Sequence, residues 1–180
     1  VLVIMYVPKL EHAKSSEGYD ALVVVTYQPT TDTFDNHELY REALKVDKQA
    51  CSSVTFLQCA KAPGSRLCVS PTGSIARDYD DVRRFGDAAA NGVERVMKAG
   101  ATTPLVHFPS APDFNKYPEY KEFVSVALLA VFQRLYVPLQ GREHGVKCPI
   151  VKIGFNTGFD LKDGDKIAKY VSAVEAGRCL

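Results

Sequence analysis

The stretch Ser70–Gly100 constrains the fold more than any other, because its residues all favour a loop that leads into one long amphipathic helix. Apolar side chains recur there at spacings of three and four, which places them on one side of a 3.6-residue helix. These residues are Val82, Phe85, Ala89, Val93, Val96 and Met97. The pattern predicts a helix that lies on a hydrophobic core.

The ends of this helix are also indicated by the sequence. Carboxylates at Asp78, Asp80 and Asp81 are expected in its first turn, where the helix dipole favours negative charge, and Gly100 suits its end. Just upstream, Arg66–Ser70 has the composition of a short strand. A strand, a loop and a helix in succession are the unit of a layered α/β domain.

Other segments repeat this alternation. Strands are predicted at Val1–Val7, Ala21–Tyr27, Ser53–Gln58, Arg66–Ser70, Thr103–Phe108 and Cys148–Phe155. Further helices are predicted from about Asn36 to Ala50, from Tyr117 to Leu135, and after Asp163 or Asp165 with Ile167, Tyr170, Val171 and Val174 facing inward. Leu10–Asp20 and Val137–Lys147 are interpreted as surface connections.

The predicted architecture is a three-layer α/β/α sandwich with a mixed sheet of five or six strands and four helices. The sheet is expected to be mixed because Pro63-Gly64 between two strand-like runs favours a hairpin. At 180 residues the chain fits a single domain, 1–180, which can bury about 70% of the surface of its unfolded form.

Composition excludes several classes of protein. The 22 basic and 21 acidic residues are interspersed, which argues against a sequence-independent grip on nucleic acid. The opening apolar run is too short for a membrane span, so a cytoplasmic protein with no membrane contact is expected. Five cysteines without C-x-x-C spacing, Cys51, Cys59, Cys68, Cys148 and Cys179, indicate small buried side chains in a reducing compartment.

No convincing catalytic or ligand-binding motif is present. Dinucleotide, Walker, zinc-protease and serine-hydrolase motifs are absent, and His12, His37, His107 and His144 are scattered. The aspartates at 78, 80 and 81 are better explained by the helix dipole than by a metal ion, and His107 by packing and hydrogen bonding. The loop Pro71–Arg77 offers a weak anion site before a helix. The sequence therefore predicts no catalytic, cofactor-binding or metal-ligating residue.

Two runs nevertheless resemble a known family. SPTGSIARDYDDVRRFGDAAANGVERVMKAG (70–100) and the closing KIAKYVSAVEAGRCL (166–180) are similar to the amino-terminal domain of the leucyl aminopeptidases, also called cytosol aminopeptidases, and in particular to the divergent animal leucine-aminopeptidase-like branch. The resemblance covers most of the chain from about Arg66. Glu175–Arg178 resembles the segment where the family's connecting helix begins.

The resemblance implies a macro-domain-like fold and a non-catalytic role. In that family the following, catalytic domain holds two divalent ions, zinc or manganese, through ligands that include an Asn-Thr-Asp-Ala-Glu-Gly-Arg run, and this run is absent here. The parent protein would remove amino-terminal residues from peptides as a homo-hexamer. This segment would support assembly and active-site access, be inactive alone, and have the catalytic domain after residue 180 as its partner.

Two other functions remain open at this stage. The first is a free-standing macro-like module that binds ADP-ribose or a related nucleotide, for which Pro71–Gly73 and Gly141–Gly145 are the nearest approach to glycine-rich phosphate loops. The second is a pseudoenzyme or nucleic-acid-binding subunit, which the even charge balance disfavours.

Overall fold

A computed structural model describes residues 7–179 of the chain. The strand predicted at Val1–Val7 lies, except for its last residue, outside these residues. The strands are β1 (Lys9–His12), β2 (Ala21–Thr26), β3 (Thr55–Gln58), β4 (Arg66–Pro71), β5 (Pro104–Phe108) and β6 (Lys152–Thr157). The α-helices are α1 (His37–Val46), α2 (Arg83–Lys98), α3 (Phe123–Leu135), α4 (Leu139–Glu143) and α5 (Gly164–Arg178).

The strands form one mixed sheet in the order β1-β6-β5-β2-β4-β3. All neighbours are parallel except β3, which pairs antiparallel with β4 through the predicted hairpin. All six residues of β2 are buried, because this strand lies between β4 and β5 and is covered on both faces. Its continuous run of β-branched residues is typical of such a position.

The two faces of the sheet carry separate hydrophobic cores. Helices α2, α3 and α5 pack on one face, here called the covered face, which includes Val23, Val106 and Phe155. The other face, here called the open face, carries α1 and includes Leu22 and Leu105. The described residues thus form the predicted three-layer α/β/α sandwich.

The long helix predicted from residue 82 lies close against the central strands. Gly92 permits this contact, because a Cβ atom there would lie 2.6 Å from Cγ1 of Val23 and 3.1 Å from Cβ of Ser70. The predicted apolar stripe faces inward as expected, with Phe85, Ala89 and Val93 buried. The helix also packs along α3, where a Cβ at Gly86 would lie 3.0 Å from Cβ of Ala130.

Several sequence predictions were wrong in detail. Leu10–Asp20 was predicted as a connection, but its first residues belong to β1, which pairs in parallel with β6 at the edge of the sheet. The predicted connection Val137–Lys147 contains the short helix α4. Both elements are short, and neither shows a long apolar repeat, so the periodicity of the sequence does not reveal them.

Two predicted boundaries and one orientation also differ. The strand predicted from Cys148 begins only at Lys152, and α3 begins at Phe123, after a single 3-10 turn at Pro118–Tyr120. Tyr170 was predicted to face inward, but 57% of its surface is exposed, because the buried stripe of α5 runs through Ala168, Val171 and Glu175.

Candidate functional site

Ligands of parallel α/β sheets usually bind beyond the carboxyl ends of the strands, where neighbouring strands lead to helices on opposite faces. In this chain that point lies beside β2. The chain leaves β2 for α1 on the open face, whereas it leaves the neighbours β4 and β5 for α2 and α3 on the covered face. The loops after β2, β4 and β5 are therefore the first place to look for a site.

A buried carboxylate joins two of these loops. Asp32 is 9% exposed, and it accepts hydrogen bonds from the hydroxyl of Thr26 and, at 2.7 Å, from Oγ of Ser110. The hydroxyl of Tyr27 donates to the carbonyl of Ala111 at 3.2 Å. These contacts fasten the loop after β2 to the loop after β5. Both oxygens of Asp32 are used within the fold, so this group serves first to hold the edge together.

The loop after β4 was predicted to be a weak anion site, and its cationic side chains are held by a carboxylate. The side chain of Asp80 is fully buried and lies 2.9 Å from Nη2 of Arg77 and 2.5 Å from Nε of Arg84. The hydrogen bonds from Arg77 lower the pKa of Asp80 to about 2. Two cations near the start of α2 are therefore already paired with this aspartate.

The aspartates predicted in the first turn of α2 lie before it instead. The helix begins at Arg83 and has no acidic residue in its first turn. Asp81 accepts a hydrogen bond from the backbone N–H of Arg83 at 2.8 Å. It also forms an ion pair with the guanidinium of Arg83 at 2.5 Å. The acidic cluster thus orders the approach to the helix through arginine contacts, and not through the dipole alone.

The histidines and cysteines do not converge on a common centre. His12 stacks on Phe155 with ring centroids 5.2 Å apart, while His107 lies on the opposite face of the sheet. All five cysteines are free; Cys59, Cys68 and Cys179 are buried, Cys148 is half-buried, and Cys51 is exposed. Burial raises the pKa of Cys68 to about 12. Among residues 7–179, no group of three or more His, Cys, Asp or Glu side chains is placed to hold a metal ion.

The largest departure from the sequence analysis is a groove on the open face, here called the His107 groove. It has a volume of about 380 Å³, and its floor is formed by Leu22, Leu105, His107 and Asn156. Lys14 and Lys61 line it from two different loops, together with Thr33–Asn36. Of these residues, sequence reasoning singled out only His107. The others are separated in the chain; the pairing of β2 with β5 places Leu22 beside Leu105, and the pairing of β5 with β6 places His107 beside Asn156.

At the floor of this groove, His107 and Asn156 are partners in the β5–β6 register, and Nδ1 of the imidazole lies 2.8 Å from Oδ1 of the amide. Burial lowers the pKa of His107, so the ring is neutral at pH 7. An amide oxygen only accepts hydrogen bonds, so Nδ1 carries the proton and Nε2 keeps its lone pair.

The fold and this edge geometry define the class of structure: an α/β/α sandwich of the macro-domain type. Its central parallel strands are flanked by helices on both faces, and one antiparallel strand closes an edge. The macro domain of ganglioside induced differentiation associated protein 2 matches with a TM-score of 0.59 at 11% identity, over 92% of this chain and 82% of that one. This confirms the fold class predicted from the sequence.

The particular likeness is to leucine aminopeptidases. The tomato leucine aminopeptidase mutant K354E matches with a TM-score of 0.64 at 14% identity, over 96% of this chain and 36% of that one. A Caenorhabditis elegans protein named "Putative aminopeptidase W07G4.4" is 29% identical over 169 residues, which are 88% of this chain and 31% of that protein. No protein-family model matches the chain.

These comparisons confirm the resemblance found in the sequence. The chain spans about a third of the length of the aminopeptidases that it matches. In residues 7–179 no helix combines the length and the apolar character that crossing a membrane requires.

Proposed function

We propose that this chain is the amino-terminal, non-catalytic domain of a leucyl-aminopeptidase-like metallopeptidase. The observation that carries the proposal is the 29% identity to the C. elegans protein, which extends over 88% of this chain but only 31% of that protein. A relative that matches most of this chain over only about a third of its own length is expected when the chain corresponds to one domain of a two-domain protein. The structural match to tomato leucine aminopeptidase over 36% of its length agrees.

In the parent protein the catalytic domain would follow residue 180 and hold two zinc or manganese ions. Such ions activate a water molecule and polarise the scissile carbonyl of the first peptide bond. The segment itself would act as a scaffold that supports a homo-hexamer in the cytoplasm and shapes the access of peptides to the active sites. The Asp32, Asp80 and Asp81 contacts fit this role, because each carboxylate is engaged with the domain's own side chains or backbone.

The first test is an activity assay on the purified chain. We expect no hydrolysis of leucyl-p-nitroanilide with added Mn²⁺ or Zn²⁺, whereas the longer protein that includes the following domain hydrolyses it under the same conditions. Sedimentation of the longer protein should give a hexamer, and removal of residues 1–180 should leave a smaller assembly. Metal-dependent turnover by the chain alone, retained through rigorous purification, would contradict the proposal.

A nucleotide-binding module is the second candidate, and the macro-domain fold favours it. Calorimetry with ADP-ribose separates the two functions. Micromolar binding would support the module, and no heat of binding at millimolar ligand would support the scaffold. The use of both oxygens of Asp32 in contacts within the fold favours the second result.

A further inference from the structure

The geometry of the His107 groove points to a binding site for a small organic anion, and we propose that it takes a molecule with an apolar body and one carboxylate or phosphate group. The proposal concerns the open face of the sheet. It does not depend on the activity of the parent protein.

The groove exists because helices cover the open face only in part. Helix α1 contributes Tyr40 to the core on this side, together with Leu22, Val24 and Val69 of the central strands. Over β5 and β6, the side chains of His107 and Asn156 line the groove and remain half-buried. The volume of about 380 Å³ falls within the range of small-molecule sites.

The floor combines apolar and polar groups in the way such sites usually do. Leu105 and Leu22 are 1% and 5% exposed, and Phe34, at 8%, stands at the side of the groove. They offer a surface for an apolar body. His107 uses Nδ1 for its hydrogen bond with Asn156, which leaves Nε2 to accept from an N–H or O–H group on the body of the ligand and not to contact its anionic group.

The charges around the groove favour an anion. Lys14 and Lys61 line it from the loop after β1 and the loop after β3, and neither forms an ion pair with a described residue. Asp35 is the only carboxylate that lines the groove among the described residues, while Asp32, whose charge also acts on His107, is held by the hydroxyls of Thr26 and Ser110. Lysine ammonium groups on separate loops suit a carboxylate or phosphate that lies between them.

The test uses ¹⁵N-labelled chain and three probes. N-acetyl-L-leucine carries a carboxylate, adenosine monophosphate carries a phosphate, and N-acetyl-L-leucinamide carries the same apolar body as the first probe with no charge. We expect at least one anionic probe to shift the amide signals of Leu105–His107 and the Nε2 signal of His107, and N-acetyl-L-leucinamide to shift neither. The two anionic probes distinguish a carboxylate ligand from a phosphate ligand.

Paired variants test the lysines. The double variant Lys14→Ala/Lys61→Ala should weaken binding of the responding probe at least tenfold. The control Lys162→Ala/Lys169→Ala makes the same change of charge at exposed positions near or on α5 and should leave the affinity unchanged. Three results would each overturn the proposal: no response to either anion at 10 mM, an equal response to N-acetyl-L-leucinamide, or shifts confined to the loop after β4 around Thr72.

Discussion

The two faces of the sheet are built from different chemistry. The covered face is closed by three helices and an aromatic cluster, in which the rings of Phe85, Phe108, Phe114 and Phe159 lie within 6.4 Å of Phe123. The open face has one main helix and covers its outer strands with Tyr19, Glu11 and Lys152. We therefore expect the side chains of the covered face to contribute most of the free energy of unfolding, and those of the open face to contact a ligand.

The largest effect is expected for Phe123→Ala. Phe123 is 1% exposed at the centre of the aromatic cluster, and its truncation should lower the free energy of unfolding by about 3–5 kcal/mol. The matched change on the open face, Phe34→Ala, should cost less, because Phe34 stands beside a groove that is already open to solvent. Urea unfolding of both variants measures the difference, and equal losses would refute the contrast between the faces.

A smaller effect is expected where α2 meets the sheet. Gly92→Ala would place a methyl group 2.6 Å from Cγ1 of Val23, and such overpacking costs about 1–3 kcal/mol. Gly177→Ala is the control, because nothing lies within 4 Å of its added Cβ. The control should be neutral or more stable by up to about 1 kcal/mol in thermal unfolding, since alanine favours helix more than glycine does. If Gly92→Ala left the stability in thermal unfolding unchanged, α2 would have to shift easily to make room for the methyl group.

The smallest effect concerns the open face and appears only in acid. The hydroxyl of Tyr19 donates to Glu11 at 2.6 Å, and this bond is the main cause that lowers the pKa of Glu11 from 4.5 to about 2. The carboxylate therefore contributes stability that is complete above pH 4.5 and is lost as the pH falls towards 2.

Glu11→Gln should remove this component. Its free energy of unfolding should depend less steeply on pH between 4.5 and 2 than that of the unchanged protein, and the two curves should approach each other in acid. Glu17→Gln, an exposed carboxylate with no ion pair to a described residue, is the control and should leave the slope unchanged. Identical slopes for all three proteins would exclude Glu11 as a source of acid sensitivity.

Much of the covered face could be predicted from the sequence. The apolar stripe of α2 and the continuous run of β2 are strong periodic signals, and Pro63-Gly64 marked the hairpin between β3 and β4. These signals are local, because each depends on residues close together in the chain. The family resemblance added the macro-domain-like class, which the structural comparison confirmed.

The open face could not be predicted in the same way. β1 has four residues and two of them are charged, so its pairing with β6 leaves no apolar pattern. The His107 groove combines residues from six separate segments, and only the register of β5 with β6 makes His107 a neighbour of Asn156. The aspartates before α2 were wrongly predicted in its first turn for a related reason. Their position follows from ion pairs with arginines and not from the helix dipole.

The pairing of β1 with β6 bears on how the polypeptide reaches its final form. Leu10 lies beside Ile153, so β1 cannot pair until synthesis of the chain has passed β6. Long-range pairing of this kind slows folding. A nascent chain stalled before Lys152 would leave β1 without its neighbour, and this edge would then be the natural place for chaperones or proteases to detect incomplete synthesis.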